Sequence, residues 1–165
     1  MKINNPYLPH KEHFCFGCSP KNPIGLHLNF ERDGDRVLCQ WQPEANYQGF
    51  HQVLHGGILA TLLDEIAGWV VQAVVGTAGV TSEMNVKYLK PVYVHDGPLQ
   101  LEAAVSNRRG RLVDIDTKLS NALGVLCTQA SVTYYLFSPE VAKKKFNYPG
   151  ADAFLPPDVD KDEYL

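Results

Sequence analysis

The sequence predicts an α+β domain in which a curled antiparallel sheet of about six strands wraps around one long helix. Three observations carry this prediction: one long apolar run at residues 55–75, alternating apolar and polar residues on both sides of it, and short turns between the alternating segments. Short turns join strands that are antiparallel neighbours. Because one sheet must bury a helix that is apolar on almost every side, we expect the sheet to curl around it.

The apolar run reads HGGILATLLDEIAGWVVQAVV from His55 to Val75. At about 1.5 Å per residue it forms a helix roughly 30 Å long, close to the hydrocarbon thickness of a bilayer. Asp64 and Glu65 lie near its middle, and neither flank carries a basic anchor cluster. These features favour a buried core helix over a membrane span, so we expect no membrane partner.

Strand patterns precede the helix. Residues 26–31 alternate as a half-buried strand, Asp33-Gly34 is a hairpin signal, and residues 37–41 alternate in the returning strand. Residues 43–55 form a polar, aromatic-rich loop that leads into the helix.

Strand patterns also follow the helix. In the first of these strands Val80 and Met84 are predicted on one face and Thr81 on the other. The four strands are predicted at residues 80–88, 99–105, 113–119 and 125–137.

The chain divides by composition into an N-terminal arm (1–13), one main domain (14–137) and a C-terminal extension (138–165). The extension is rich in Pro, Lys and Asp, and we expect it to lie on the surface with little core of its own. A net charge of −3 gives no general attraction to nucleic acid, so no nucleic-acid partner is expected. The first residues do not resemble a signal peptide, and four cysteines in that context favour free thiols and the cytoplasm.

Cys15 and Cys18 form a single C-x-x-C pair, and His10 and His13 precede it. These four residues could bind zinc, but His13 and Cys15 are almost adjacent, which crowds a tetrahedral site. Buried thiols beside a Pro/Gly turn are the favoured interpretation, so no bound metal is expected; the zinc alternative stays open. A redox motif is disfavoured because no βαβ pattern surrounds the pair.

Asp64 stands on a stripe of small side chains two turns inside the helix. A buried carboxylate costs several kcal/mol, as an order of magnitude, unless it is paired or solvated. The stripe is therefore either a place where a ligand approaches, or a place where a neighbouring Arg or Ser holds the carboxylate. By helical spacing its members are Gly57, Ala60, Thr61, Ala67 and Gly68.

Together these motifs resemble the hotdog-fold acyl-CoA thioesterases, in particular the PaaI-like branch of phenylacetate-pathway type. The resemblance rests on His55-Gly56-Gly57 with Asp64 nine residues after the histidine, on TSEMNVKYLKP after the helix, and on CFGCSPKNPIGLHLNF near the start. It covers residues 14–137 and implies a hotdog fold that hydrolyses an acyl-CoA to a carboxylic acid and coenzyme A. Coenzyme A is then part of the substrate, and no separate cofactor is implied.

The resemblance also implies roles for individual residues. Asp64 becomes the general base or the nucleophile, and the backbone N–H of Gly56, beside Gly57, polarises the thioester carbonyl. Thr81 matches a hydroxyl that orients water or the carboxylate. His55 organises the loop, with direct proton transfer as the alternative role. Free N–H groups at a helix N-terminus suit an oxyanion, which gives the Gly56 assignment a physical basis.

One position departs from the family pattern. Family members often carry an asparagine six residues before the motif histidine, and this chain has Gly49 there. Asn46, Gln48 or His51 are candidates to take over that substrate-binding role, and the sequence does not choose between them.

A basic turn is the candidate site for the phosphates of coenzyme A. Arg108, Arg109 and Arg111 surround a predicted hairpin turn, and Arg suits phosphate because its planar fork donates several hydrogen bonds. A solvated turn is the alternative interpretation of the same charges.

The resemblance further implies a homodimer or homotetramer in which Asp64 and the Gly56 amide of one active site come from different chains. Two alternative functions remain at this stage. A non-catalytic acyl-CoA or lipid sensor is the main one, although such regulators tend to lack the helix carboxylate. A hotdog hydratase ranks last because its usual acidic and histidine pairing is not apparent.

Overall fold

The computed structural model describes residues 1–156, and six antiparallel strands there form one sheet around a central helix. In spatial order the sheet runs β1-β2-β6-β7-β8-β5, and β3 pairs with β4 in a separate small ribbon. This confirms the predicted fold class. The elements in chain order are β1 (Phe30–Asp33), β2 (Arg36–Trp41), β3 (Gln48–Phe50), β4 (Val53–Leu54), α1 (Gly56–Val70), β5 (Gly79–Tyr88), β6 (Leu99–Arg109), β7 (Leu112–Ser120), β8 (Leu126–Leu136) and α2 (Pro139–Phe146).

Helix α1 is the centre of the hydrophobic core. Leu62, Leu63 and Ile66 have no exposed surface, because β2 and β5–β8 curve around the helix. The helix continues as a π-helical turn through Val75 and ends at Gly76, whose φ of 81° requires a left-handed conformation. By length and mean hydropathy (1.7) this segment could cross a membrane, but its apolar side chains pack within the sheet as a core helix.

Strand β5 forms one edge of the sheet, and it carries a bulge that changes which residues face the helix. The register against β8 shifts between Thr81 and Glu83, so Ser82 is the extra residue. The sequence prediction that Thr81 and Met84 lie on opposite faces is therefore wrong. The bulge breaks the strict alternation, and Thr81 contacts the helix on the side where Met84 packs against the core.

The strand predicted at residues 26–31 begins only at Phe30. His27 has a φ of 53°, which interrupts the extended backbone. The amides of Leu26 and Leu28 instead donate hydrogen bonds to the carbonyls of residues 16–17, at 2.7 and 2.8 Å. The C-x-x-C segment thus lies directly against the chain that leads into β1.

Both terminal segments contribute to the core. Ile3 is buried, and its amide donates to the Phe30 carbonyl at 2.9 Å. Beyond α2, Phe154 is only 2% exposed and packs edge-on against Trp69, with ring centroids 5.8 Å apart. The expectation that the C-terminal extension adds little to the core is wrong for this part. Residues 157–165 of the extension lie outside the described residues, and the predicted boundaries stay a prediction.

Candidate active site at the central helix

The N-terminus of α1 is capped by a histidine. His55 has an extended backbone (φ −63°, ψ 133°), and its Nδ1 accepts a hydrogen bond from the Gly57 amide at 2.8 Å. An accepting Nδ1 means that the ring is neutral, with its proton on Nε2. His55 therefore caps the helix start, and its Nδ1 is occupied by this hydrogen bond.

The cap leaves one amide of the first turn free. The Gly57 amide is occupied by His55, and the Ile58 amide donates to the His55 carbonyl at 2.9 Å. Within residues 1–156 the Gly56 amide has no acceptor. The positive end of the helix dipole is concentrated on such unpaired groups. Gly56 thus offers an anion-binding N–H, whereas Gly57 supports the cap only.

Tyr88 at the end of β5 fixes the same turn from the other side. Its hydroxyl donates to the Gly56 carbonyl at 3.0 Å. A Cβ added at Gly56 would meet the Tyr88 ring at 3.5 Å, which is an ordinary contact. The Gly56–Gly57 peptide, which follows the free amide, is therefore held between the His55 cap and the end of the edge strand.

Asp64 is held by two hydroxyl groups and not by an arginine. The Thr81 hydroxyl donates to Oδ1 at 2.7 Å. The Tyr134 hydroxyl lies 2.9 Å from both Oδ1 and the Asp64 carbonyl, so it shares one proton between them. The sequence proposed an Arg or Ser neighbour as the alternative, and hydroxyl donors take that place without neutralising the charge.

Tyr134 is a site residue that the sequence analysis missed. Burial, and secondarily the Asp64 charge, raise the pKa of Tyr134 well above its usual range, so the hydroxyl remains a donor near neutral pH. Gly68 makes room for it, because a Cβ there would lie 3.1 Å from the Tyr134 oxygen. A tyrosine among the inward-facing apolar residues of β8 was the available signal, since a buried tyrosine hydroxyl usually has a partner.

The second carboxylate oxygen of Asp64 is left open. Within residues 1–156, Oδ2 has no hydrogen-bond partner, and it is not among the buried polar atoms that lack one. It is therefore accessible to solvent. A cleft of about 650 Å³ borders the same place, and Gly68, Thr81 and Tyr134 are part of its lining.

The free amide and the open carboxylate are far apart within one chain. Gly56 and Asp64 are eight residues apart on α1, which is about 12 Å at the helical rise. A carbonyl group held by one of them cannot be reached by the other. One chain therefore carries both the free amide and the open carboxylate but does not bring them together.

In the loop before the helix, the Gln48 side chain forms its hydrogen bonds within the loop itself. Gln48 accepts from the Gln52 amide and donates to the Ala45 carbonyl at 2.8 Å, so its side chain is engaged. Asn46 and His51 are exposed. The loop therefore does not bring these three predicted candidates together at Asp64.

Gly49 explains why the family asparagine has no counterpart here. A Cβ at Gly49 would lie 3.1 Å from the His55 ring, a contact tighter than most. The histidine cap thus occupies the space into which a side chain at position 49 would begin.

Two of the three arginines at the predicted turn already contact side chains of β7 and β8. Arg109 forms an ion pair with Asp114 at 2.9 Å, and Arg111 donates to the Tyr135 hydroxyl at 3.2 Å. Arg108 is exposed and has no ion pair within residues 1–156. The strands run through Arg109 and resume at Leu112, so the turn is shorter than predicted.

Comparisons with known proteins agree with this architecture. A family model described as the thioesterase superfamily matches residues 51–128, which include the helix start, Asp64 and Thr81. A thioesterase protein of Streptococcus pneumoniae, crystallised with coenzyme A, superposes with a TM-score of 0.63 at 25% identity, covering 68% of this chain and 87% of that one. The chain has the hotdog fold, and residues 51–128 are similar to the thioesterase superfamily.

Other hotdog proteins extend the comparison. The Escherichia coli PaaI protein shares the fold, with a TM-score of 0.62 at 19% identity over 69% of this chain and 82% of that one. Acyl-coenzyme A thioesterase 13 of Homo sapiens is 29% identical over 103 residues, 61% of this chain and 73% of that protein. The chain spans 56% of the length of a further curated relative, from Saccharolobus solfataricus. The predicted family is thus confirmed.

Proposed function

We propose that this hotdog protein hydrolyses acyl-CoA thioesters to a carboxylic acid and free coenzyme A. The observation that carries the proposal is the open Oδ2 of Asp64, next to an Oδ1 that Thr81 and Tyr134 hold in place. A fixed carboxylate with one free oxygen beside a cleft is suited to act on water or on a carbonyl carbon. The human relative named as an acyl-coenzyme A thioesterase supports the substrate class.

The Gly56 amide supplies the second half of the chemistry. When a thioester carbonyl carbon becomes tetrahedral, its oxygen takes negative charge, and an unpaired N–H at a helix N-terminus stabilises that charge without reorganising. Gly56 has no side chain between the amide and an approaching carbonyl. The His55 cap occupies the neighbouring Gly57 amide, so Gly56 is the donor that we assign to this role.

We infer that the two halves meet across a dimer. Strand β5 is a ten-residue edge that pairs only with β8 among the described strands, and Val80 (43%) and Tyr88 (53%) are exposed along it. Long open edges are usually covered. If two copies of β5 pair antiparallel about a two-fold axis between Met84 and Asn85, Thr81 lies opposite Tyr88 of the partner subunit. Asp64 of one chain then approaches the Gly56 amide of the other.

Two routes of bond breaking fit this arrangement. In the first, Oδ2 of Asp64 takes a proton from water, and the water oxygen adds to the carbonyl carbon. In the second, Oδ2 itself adds to that carbon, and water later cleaves the acyl-enzyme anhydride. In both routes the carbon–sulfur bond breaks, and coenzyme A leaves as the thiol after gaining a proton. Thr81 and Tyr134 position Asp64 in either case.

The arginine turn is the proposed contact for the coenzyme A phosphates. Tyr134, which contacts Asp64, pairs in the sheet with Val113, and Val113 is two residues after Arg111. Within residues 1–156, Arg108 has no ion pair, and the side-chain partner of Arg111 is the Tyr135 hydroxyl. Arg109 is the weakest candidate because Asp114 already neutralises it. Arginine forks bind phosphate well.

A non-catalytic acyl-CoA or lipid sensor is the alternative, and Asp64 distinguishes the two. A sensor has no need to keep a charged oxygen open beside its ligand, since leaving a partly buried charge unpaired is unfavourable. The chain's free cysteines agree with a cytoplasmic location, which we propose as its place of action.

The proposal is tested by incubating the protein with acyl-CoAs of short, medium, long and aryl-acetyl chains and measuring released thiol. We expect turnover of at least one of them at about 1–10³ s⁻¹, the common range for enzymes. A thioether analogue of the best substrate, which cannot be hydrolysed, should bind and inhibit competitively. Saturable binding of every acyl-CoA without thiol release would contradict hydrolysis and support the sensor.

A further inference from the structure

A cluster of metal-binding side chains includes Glu65, the residue that follows Asp64 in α1. The sulfurs of Cys15 and Cys18 and a carboxylate oxygen of Glu65 all lie within 4.8 Å of one another. The Cys15 sulfur is 3.4 Å from Glu65 Oε1, and the Cys18 sulfur is 3.9 Å from Nε2 of His13. Three groups of the types that bind zinc therefore converge from the N-terminal segment and α1, and His13 lies at the edge of this cluster, beside Cys18.

Two of the contacts match the spacing of ligands around a tetrahedral zinc ion. Zinc binds sulfur at about 2.3 Å and nitrogen or oxygen at about 2.0–2.2 Å, which sets sulfur and nitrogen or oxygen ligands about 3.6 Å apart and two sulfurs about 3.8 Å apart. The observed contacts of 3.4 and 3.9 Å lie on either side of this value. The crowding expected from the near-adjacent His13 and Cys15 is avoided, because His13 approaches Cys18 and the helix supplies Glu65.

The surroundings of Glu65 hold it in place for this contact. Trp69 donates its indole N–H to Glu65 Oε1 at 3.2 Å, the kind of outer contact that orients a metal ligand. At Gly17 a Cβ would lie 2.3 Å from Cδ of Glu65, so only glycine lets the carboxylate reach the C-x-x-C loop. The Ser19 hydroxyl donates to the His13 carbonyl at 2.7 Å and anchors the other end of the loop.

Within residues 1–156, Glu65 forms no ion pair with a cationic side chain. Among the described ion pairs none involves this half-buried carboxylate, and its protein donors are the Trp69 N–H and the Cys15 thiol. A carboxylate in such a place is unfavourable without positive charge nearby. A hydrogen bond from a thiol to Glu65 would explain the position of Cys15. It would not explain why the Cys18 sulfur faces Nε2 of His13.

We propose that His13, Cys15, Cys18 and Glu65 bind one zinc ion in a structural site. Two thiolates, one imidazole and one carboxylate fill all four positions, so no position is left for water or substrate. The ion fastens the N-terminal segment to α1, and the two cysteines release their protons when it binds. Glu65 points about 100° around the helix from Asp64. Glu65 and His13 nevertheless line the same cleft as Thr81 and Tyr134, so the ion would lie at the far side of that cleft from Asp64.

The test begins with the full-length wild-type protein, produced without a polyhistidine tag or chelator and analysed for bound metals. We expect about one zinc per chain. The metal-free, reduced protein should also bind Co²⁺ and give the strong visible absorption of tetrahedral cobalt bound by thiolate. Both readouts are independent of thioesterase activity.

Matched variants locate the ion. Cys15→Ser and Cys18→Ser should lose most of the zinc, while Cys39→Ser and Cys127→Ser should keep it, since those buried thiols lie outside the cluster. Glu65→Gln, nearly equal in size, should bind zinc more than about 10-fold more weakly in competition with a chelator. The cobalt spectrum of the wild type remains informative even if a cysteine variant fails to fold.

Three results would overturn the proposal. One is wild-type protein with reduced thiols that contains no zinc and gives no thiolate–cobalt absorption. Another is a Cys15→Ser, Cys18→Ser double variant that keeps its zinc, which would put the ion elsewhere. A third is a Cys15–Cys18 disulfide in freshly purified protein, which would assign the pair to redox chemistry.

Discussion

Replacing Asp64 with Asn is expected to lower kcat for acyl-CoA hydrolysis by about 10²–10⁴-fold, the contribution typical of a positioned acid–base group. The substitution keeps the shape of the side chain, but an amide can neither accept the proton of water nor attack the carbonyl. Because the contacts to the coenzyme A part of the substrate are unchanged, KM should change little. Steady-state thiol release with the best acyl-CoA measures both constants.

The matched control for this prediction is Asp116→Asn. Asp116 is an exposed carboxylate on β7 and belongs to neither half of the proposed site. Its kcat should equal that of the wild type. Thermal unfolding of both variants excludes a loss of fold as the cause. An Asp64→Asn protein with wild-type kcat would remove Asp64 from the mechanism.

The second large effect is expected from Gly56→Pro, which deletes the proposed oxyanion donor and leaves the helix intact. Proline has no N–H and is well tolerated at the first position of a helix, where the amide has no partner inside the helix. His55 already has the extended backbone that a following proline requires. Loss of one oxyanion donor should lower kcat by about 10²–10³-fold, measured by the same thiol release.

Gly56→Ala distinguishes the role of the amide N–H from the role of the empty space at Gly56. This variant keeps the N–H, and its new methyl group meets the Tyr88 ring at an ordinary distance of 3.5 Å. It should therefore retain most of the activity that Gly56→Pro loses. If both variants lose activity equally, the site needs an empty volume at Gly56, and the oxyanion role of the amide would be wrong.

The sequence predicted the fold because its strongest signal is a single long-range constraint. A very apolar helix must be buried, and strands joined by short turns form an antiparallel sheet. Few arrangements satisfy both requirements other than a sheet curled around the helix. The position of Asp64 on that helix followed from helical spacing alone. The bulge at Ser82 could not be predicted, because its neighbours Thr81 and Glu83 give no local signal such as glycine. That bulge brings Thr81 to Asp64.

The missed residues are those whose roles depend on contacts between distant segments. Tyr134 is 70 residues from Asp64, and the packing of α1 against β8 brings the two together. In the sequence Glu65 is only a charge within the apolar run, because nothing local relates it to a loop 50 residues earlier. His27 was placed in a strand by its alternating neighbours, and its left-handed backbone is set by the tertiary path of the loop.

The central claim is that each active site combines the Asp64 carboxylate of one chain with the Gly56 amide of another. It is tested most directly by co-expressing Asp64→Asn and Gly56→Pro chains with different tags and purifying the heterodimer. One of its two sites then has both intact groups, so the activity should rise to about half that of the wild-type dimer. A heterodimer that is no more active than either parent would contradict the shared site.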